Sequence, residues 1–151
     1  MNILITGGTG LIGRALSAAL IADGHNVSVL TRNPDKARNN LASGVLPIKW
    51  QSADIEALSR LIETNDAVIN LAGESIAGEN LLSILTKRWT DESKKRIQGS
   101  RVDMGETLVK AIEMAEKKPQ VFIQASAVGY YGVTGEEPLN ENEPKGDDFL
   151  A

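Results

Sequence analysis

Residues Asn2-Ile3-Leu4-Ile5-Thr6 form a short apolar run that breaks off at Gly7-Gly8-Thr9-Gly10-Leu11-Ile12-Gly13. The run has the length and β-branched content of a buried strand. After it, Leu11, Ile12, Ala15, Leu16, Ala19 and Leu20 recur at helical spacing. Asp23-Gly24 closes that helix, and Gly24 suits the left-handed position past a helix end. A strand that passes through glycines into a helix is a steric prescription. Gly7 permits the sharp turn off the strand. Gly10 has no side chain to obstruct a diphosphate, and Gly13 lets the helix pack closely on the sheet. The first amides of such a helix are unpaired and carry a partial positive charge of about 0.5 e. Two spacings coexist, Gly8-x-Gly10-x-x-Gly13 and Gly7-x-x-Gly10-x-x-Gly13.

The rest of the chain repeats the alternation. Val27-Ser28-Val29-Leu30 reads as a second strand, and the polar stretch from Arg32 to Gly44 carries a turn or helix start at Asn33-Pro34-Asp35. Val45 to Trp50 reads as a third strand, placed at an edge because Pro47 cannot donate to a ladder. Ile55, Leu58, Leu61 and Ile62 form a helical stripe, and Ala67 to Leu71 a fourth strand that stops at Ala72-Gly73. From Ser75 to Gln98 the chain is polar and basic. A helix is expected from near Ser100 to Lys117, with Val102, Leu108, Val109 and Ile112 buried and Pro119 beyond its end. Val121 to Ser126 is a fifth strand, and Gly129 to Ala151 reads as a loop. Strands alternating with helices predict an α/β fold with a parallel sheet and helices on both faces. A chain of 151 residues suits one such domain.

The end of the second strand bears on the ligand. Domains that bind NAD usually carry an acid there, which accepts hydrogen bonds from the ribose 2′-hydroxyl. Here the strand ends Leu30-Thr31-Arg32, with no acid until Asp35. A guanidinium pairs with a 2′-phosphate that an acid would repel. NADP is therefore expected over NAD. Composition removes other classes. With no cysteine and a single His25, thiolate metal sites, cysteine nucleophiles and histidine metal clusters are excluded. A net charge of −4 argues against a nucleic-acid partner. No apolar run approaches the ~18–20 residues of a membrane span. The opening Met1-Asn2-Ile3-Leu4 has no basic export region, so a cytoplasmic location is expected.

Taken together, "ITGGTGLIG", "DAVINLAGE", "KRWT", "SRVDMGETLVKAI" and "ASAVGYYG" resemble the extended and atypical short-chain dehydrogenase/reductases. The nearest group is the epimerase-family, SulA-like NAD-dependent epimerase/dehydratase proteins, and the similarity spans nearly the whole chain. The resemblance implies a Rossmann-type doubly wound sheet of strand order 3-2-1-4-5. It also implies cofactor contacts from Thr6, Gly7, Thr9, Gly10, Leu11, Ile12 and Gly13 in the turn and from Arg32 at the 2′ position. Leu71, Ala72 and Gly73 would lie along the cofactor past the fourth strand. Gln51 stands where relatives often have an adenine-contacting Asp, with Asp54 as a nearby alternative. Ser126 matches the serine that hydrogen-bonds the reacting oxygen of the substrate, and Tyr131 a pocket-lining tyrosine.

Two departures from the family pattern stand out. Arg101 occupies a position where extended members usually carry Asn. Tyr130 and Tyr131 are followed four residues later by Thr134 and Gly135 rather than by the lysine of the Tyr-x-x-x-Lys pair. The resemblance thus implies an NADP-dependent oxidoreductase or epimerase acting on a secondary alcohol or ketone, a nucleotide sugar among the candidates. The alternative is a non-catalytic NADP-binding regulator or redox sensor. The chain is expected to be the N-terminal nucleotide-binding part of a longer protein whose substrate domain lies elsewhere. Small-molecule substrates and a homo-oligomeric state are the expected partners. Lys87, Arg88, Lys94, Lys95, Arg96 and Arg101 are either a solvated helix face or an electropositive rim.

Overall fold

The computed structural model of the chain describes residues 1–50, 54–74, 90–132, 135, 138–149 and 151. Among these, the alternation resolves into β1 (Asn2–Thr6), α1 (Leu11–Ala22), β2 (Asn26–Thr31), α2 (Pro34–Arg38) and β3 (Leu46–Lys49). There follow α3 (Ile55–Glu63), β4 (Ala67–Asn70), α4 (Asp91–Met114), β5 (Val121–Gln124) and a 3-10 turn at Val128–Tyr131. The strands make one five-stranded parallel sheet of order β3-β2-β1-β4-β5, as expected. Pro47 does sit on an edge strand.

The period-two alternation of the strands sorts their side chains onto two cores. Ile3, Ile5, Val27, Val29, Ala67 and Ile69 face one way, against Leu16, Leu20 and Ile21 of α1. Leu4, Leu30 and Val68 face the other way, against Leu58 and Ile62 of α3 and Leu108 and Ala111 of α4. Burial of each such aliphatic side chain stabilises by about 1.5–3 kcal/mol. The chain leaves β1 toward β2 and β3, then returns past β1 to β4. The carboxyl end of β1 is therefore the point where the winding reverses, and ligands of open α/β sheets bind in that crevice.

The helices differ from expectation in four places. In α1, Leu11 and Ile12 are 81% and 69% exposed, and Ala15 and Ala19 are exposed as well. Gly13 and Ser17 are the buried positions, because the helix packs through small residues at its start. The last helix begins at Asp91 rather than near Ser100. Its first two turns are polar, but Thr90 caps the helix by accepting from the Ser93 amide at 3.2 Å. Asp91 and Glu92 add charge that favours its positive end. Its buried seam runs through Ile97, Met104, Leu108 and Ala111, so Val102 and Val109 are exposed rather than buried.

The same helix stops at Met114, short of Lys117 and well before Pro119. Lys118 Nζ donates to the carbonyl oxygens of Ile112, Glu113 and Ala115 at 2.9, 2.9 and 2.8 Å, filling places that further helical amides would take. Past Gly129 the chain is not all loop, since Val128–Tyr131 makes a 3-10 turn. Gly24, at φ +81°, follows α1 as expected, and His25 Nδ1 meets the terminal amine at 3.3 Å as a turn residue. No helix among the described residues is long and apolar enough to cross a membrane.

Strand β5 is the outer strand on the β4 side, and Val121, Phe122 and Ile123 are all exposed. An unpaired edge with apolar side chains is a template for association. The isolated 151-residue chain is expected to associate with rising concentration in multi-angle light scattering, and a monodisperse monomer throughout would contradict this.

Candidate functional site

The glycine turn has the shape its sequence prescribes. Gly7 takes φ +67°, and a Cβ there would lie 2.4 Å from the Leu71 carbonyl oxygen. The turn closes through the Gly10 amide, which donates to the Gly7 carbonyl at 3.0 Å. A Cβ on Gly13 would lie 2.5 Å from Gly8 Cα, so the start of α1 is pressed against the turn. At Gly10, by contrast, an added Cβ meets, among the described residues, only the Gly7 oxygen, at 3.3 Å. On the outer side of the turn Thr9 and Gly10 are exposed.

The other three described helices all carry a capping side chain. Asn33, Asp54 and Thr90 accept from the amides of Lys36, Ala57 and Ser93. Each also has an acid in its first turn. Helix α1 has neither: Gly10 offers no side-chain cap, and the first turn contains no acid. The positive end of this helix is left without local compensation, at the crevice where the sheet reverses. That arrangement suits a diphosphate.

Register brings the ends of three strands together. Thr6 lies opposite Asn70, and Asn70 opposite Gln124. Their side chains form a polar row across the sheet. The Thr6 hydroxyl donates to Asn70 Oδ1. The same oxygen accepts from the Ala72 amide at 3.1 Å, and Asn70 Nδ2 donates to Gln124 Oε1 at 2.7 Å. Thr6 is therefore a buried support of the turn, its hydroxyl engaged by Asn70. Neither Asn70 nor Gln124 was singled out from sequence. The signal for them was present: each is the polar residue that ends an otherwise apolar strand.

The remaining expected residues fall around this row. Thr9, Leu11 and Ile12 are exposed around the turn. Leu71, Ala72 and Gly73 run on from β4 beside it, with the Leu71 amide donating to the Thr6 carbonyl at 3.1 Å. Arg32 is exposed directly after β2 and has no ion-pair partner among the described residues. Gln51 lies outside the described residues. Asp54 caps α3, its Oδ1 accepting from the Ala57 amide at 2.7 Å, so that carboxylate is already engaged.

Ser126 follows closely on β5, whose ladder is extended by the Ala125 amide donating to the Asn70 carbonyl at 2.9 Å. Its side chain is exposed, and its hydroxyl has no hydrogen-bond partner among the described residues. Tyr131 is half-buried in the 3-10 turn and meets Tyr130 edge to face, with ring centroids 5.2 Å apart. The chain folds back onto this turn, where the Gly146 amide donates to the Tyr130 carbonyl at 2.8 Å. Of the basic stretch, Lys87 and Arg88 lie outside the described residues. Arg96 pairs with Glu74 and Glu92, and Lys94 lies over the Phe149 ring. A cavity of about 260 Å³ opens at the opposite end of the sheet, beside Asn2, Asn26 and Leu46. Among the described residues no charged side chain lines it.

Comparison with known proteins follows the same lines. The model of the NAD dependent epimerase/dehydratase family matches residues 3–148. The epimerase family protein YfhF of Bacillus subtilis is 37% identical over the whole of this chain and 46% of its own length. The chloroplastic SDR39U1 homolog of Arabidopsis thaliana is also 37% identical, over 41% of its length. The crystal structure of human epimerase family protein SDR39U1 with NADPH superposes with a TM-score of 0.75 at 32% identity, covering 99% of this chain and 45% of that one. The chain thus spans less than half the length of the relatives it matches. A UDP-glucose-4-epimerase from Stenotrophomonas maltophila, at 20% identity and a TM-score of 0.74, shares the fold.

Proposed function

Because the chain belongs to the NAD dependent epimerase/dehydratase family, we propose that it binds a nicotinamide dinucleotide at the α1 terminus, with NADP preferred, and serves oxidoreductase or epimerase chemistry at a secondary alcohol or ketone. The observation that carries the reading is the uncapped, acid-free start of α1 above an open Gly10. The residues present fit the group. Glycine amides and the helix end would hold the diphosphate, and Leu71 to Gly73 would form the wall past β4. Arg32 would take the 2′-phosphate, which agrees with the NADPH held by the human relative. When bound, the cofactor supplies or accepts the hydride.

The chain's own part in chemistry centres on Ser126. Its unpartnered hydroxyl stands past a strand's carboxyl end, where it can donate to a substrate oxygen and orient it. Tyr131 would bound the same pocket. An acid/base pair and a substrate domain would come from parts of the protein outside this sequence. Nucleotide sugars are a substrate class to test, since UDP-sugar epimerases share the fold.

The test is a fluorescence titration of NADPH and NADH, followed by assay of the full-length protein with carbonyl compounds and nucleotide sugars. Arg32→Ala is expected to weaken NADPH by about 10–100-fold, as loss of a charge-assisted hydrogen bond would, and to leave NADH within about twofold. Equal loss for both cofactors would remove Arg32 from the 2′ position. A second reading, a non-catalytic NADP-binding regulator, is favoured by the lack of Lys four residues after Tyr130 or Tyr131. Ser126→Ala decides between them. A fall in turnover with unchanged NADPH affinity supports the enzyme, and turnover indifferent to Ser126 counts against it.

A further inference from the structure

On helix α4 the buried seam Ile97, Met104, Leu108, Ala111 contains one charged position, Arg101. Further along the helix, Gly105 faces Gln124 at the end of β5, where an added Cβ would lie 3.6 Å from its Oε1. Arg101 is one turn nearer the helix start, and it meets the segment that follows β4. An added Cβ on Gly73 would lie 3.0 Å from the guanidinium carbon. Arg101 Nη2 donates to the Glu74 carbonyl at 3.1 Å, while Nη1 donates to the Ile97 carbonyl at 3.2 Å.

Ser100 completes the contact. Its Oγ accepts from the Glu74 amide at 2.8 Å and donates to the Ile97 carbonyl at 2.9 Å. The Glu74 carboxylate is paired with Arg96 at 3.4 Å. Every polar group of Glu74 is thus engaged by α4: amide by Ser100, carbonyl by Arg101, carboxylate by Arg96. The other end of the segment is held from the sheet, through the Leu71 and Ala72 amides. Between the two anchors, the Leu71 carbonyl is pressed against Gly7.

We propose that Ser100 and Arg101 form a clamp on Glu74 that positions the Leu71–Gly73 wall, and through Leu71 the glycine turn, for dinucleotide binding. They are positioning residues. The clamp itself is a matter of structure, and its effect on affinity rests on the function proposed above. The physical reason is that, among the described residues, only the Leu71 amide of this segment bonds to a neighbouring strand, while the Ala72 amide is held by Asn70 of its own strand, so the far end would otherwise fray. Arg96 alone cannot prevent that, because an exposed ion pair holds a side chain weakly and the backbone not at all.

Hydrogen exchange and NADPH titration of the full-length protein test the proposal with Ser100→Ala, Arg101→Met and both together. Without cofactor, exchange of the Glu74 amide is expected to speed up about tenfold in either variant, in line with loss of one net hydrogen bond. NADPH affinity should fall about 3–10-fold in each. The double variant should lose little more than the worse single one, because both grip one residue. Ser100→Thr, which keeps the hydroxyl, should behave as wild type. Unchanged Glu74 exchange overturns the clamp whatever the ligand. Faster exchange with undiminished NADPH affinity overturns its positioning role. A wild-type protein that binds neither NADPH nor NADH defeats the cofactor reading and the positioning role with it, while the exchange rates still decide the clamp.

Discussion

Replacing Gly7 by alanine is expected to abolish NADPH binding and to lower the melting temperature by roughly 10 °C. Two costs combine at this position. Alanine at φ +67° is strained by about 1–2 kcal/mol. Its Cβ would also stand 2.4 Å from the Leu71 carbonyl oxygen and 2.7 Å from the Ala72 nitrogen. Those are backbone atoms, so no side chain can yield, and the β1–β4 seam must open where the wall leaves the sheet. Overpacking of this kind adds about 1–3 kcal/mol, and each kcal/mol moves the midpoint by about 2–4 °C in a domain of this size.

Two further glycines separate the contributions. Gly24 has φ +81° but no described residue within 4 Å of its added Cβ. Gly24→Ala should therefore cost only the strain and leave NADPH affinity intact. Gly10 has ordinary extended backbone, φ −74° and ψ 178°, and among the described residues its added Cβ meets only one oxygen, at 3.3 Å. Gly10→Val should melt within a few degrees of wild type yet lose NADPH by about 100-fold, because its side chain would occupy the open face. Thermal melts and cofactor titrations of the three variants check the pattern. If Gly10→Val binds NADPH normally, the diphosphate does not lie over this turn.

Much of this was legible in the residues. Apolar runs too short for helices, alternating with helical stripes, specify parallel strands with crossovers, and Pro47 marks one edge of the sheet. The turn was legible because Gly7 and Gly13 are demanded by close backbone contacts that no other residue satisfies. The start of α4 was not, because its first two turns bury little: only Ser93 and Ile97 go inside. There the local signal lay in the cap Thr90 and the acids after it rather than in hydrophobic periodicity. Val102 and Val109 misled for a related reason. They repeat at seven residues, as a buried seam would, yet they lie off the row set by Ile97, Met104, Leu108 and Ala111. Arg101 appeared as a departure from a family pattern, and only its position against Gly73 and Glu74 gives it a physical role.

Asn70→Leu should be the most damaging single change away from the glycine turn. Asn70 is fully buried and serves three groups at once: the Thr6 hydroxyl, the Ala72 amide and Gln124 Oε1. Leucine keeps the branching of the side chain but can accept and donate nothing, and its two methyl groups are bulkier than the amide oxygen and nitrogen they replace. The Ala72 amide and the Thr6 hydroxyl would lose their partner at the interior end of the sheet, at about 1–3 kcal/mol for each group left buried and unpaired. Gln124 can turn toward water, since it lies at the exposed edge. The expected loss is about 3–5 kcal/mol, read as a lower urea midpoint at unchanged slope. Thr6→Val should separate packing from hydrogen bonding. Combined with Asn70→Leu it removes a stranded hydroxyl, so the double variant should be more stable than the sum of the two single losses predicts, by about 0.5–3 kcal/mol. Strict additivity would mean that Thr6 and Asn70 do not act as one unit. In that case the alignment of β1 with β4 beneath the turn must come from the backbone ladder alone.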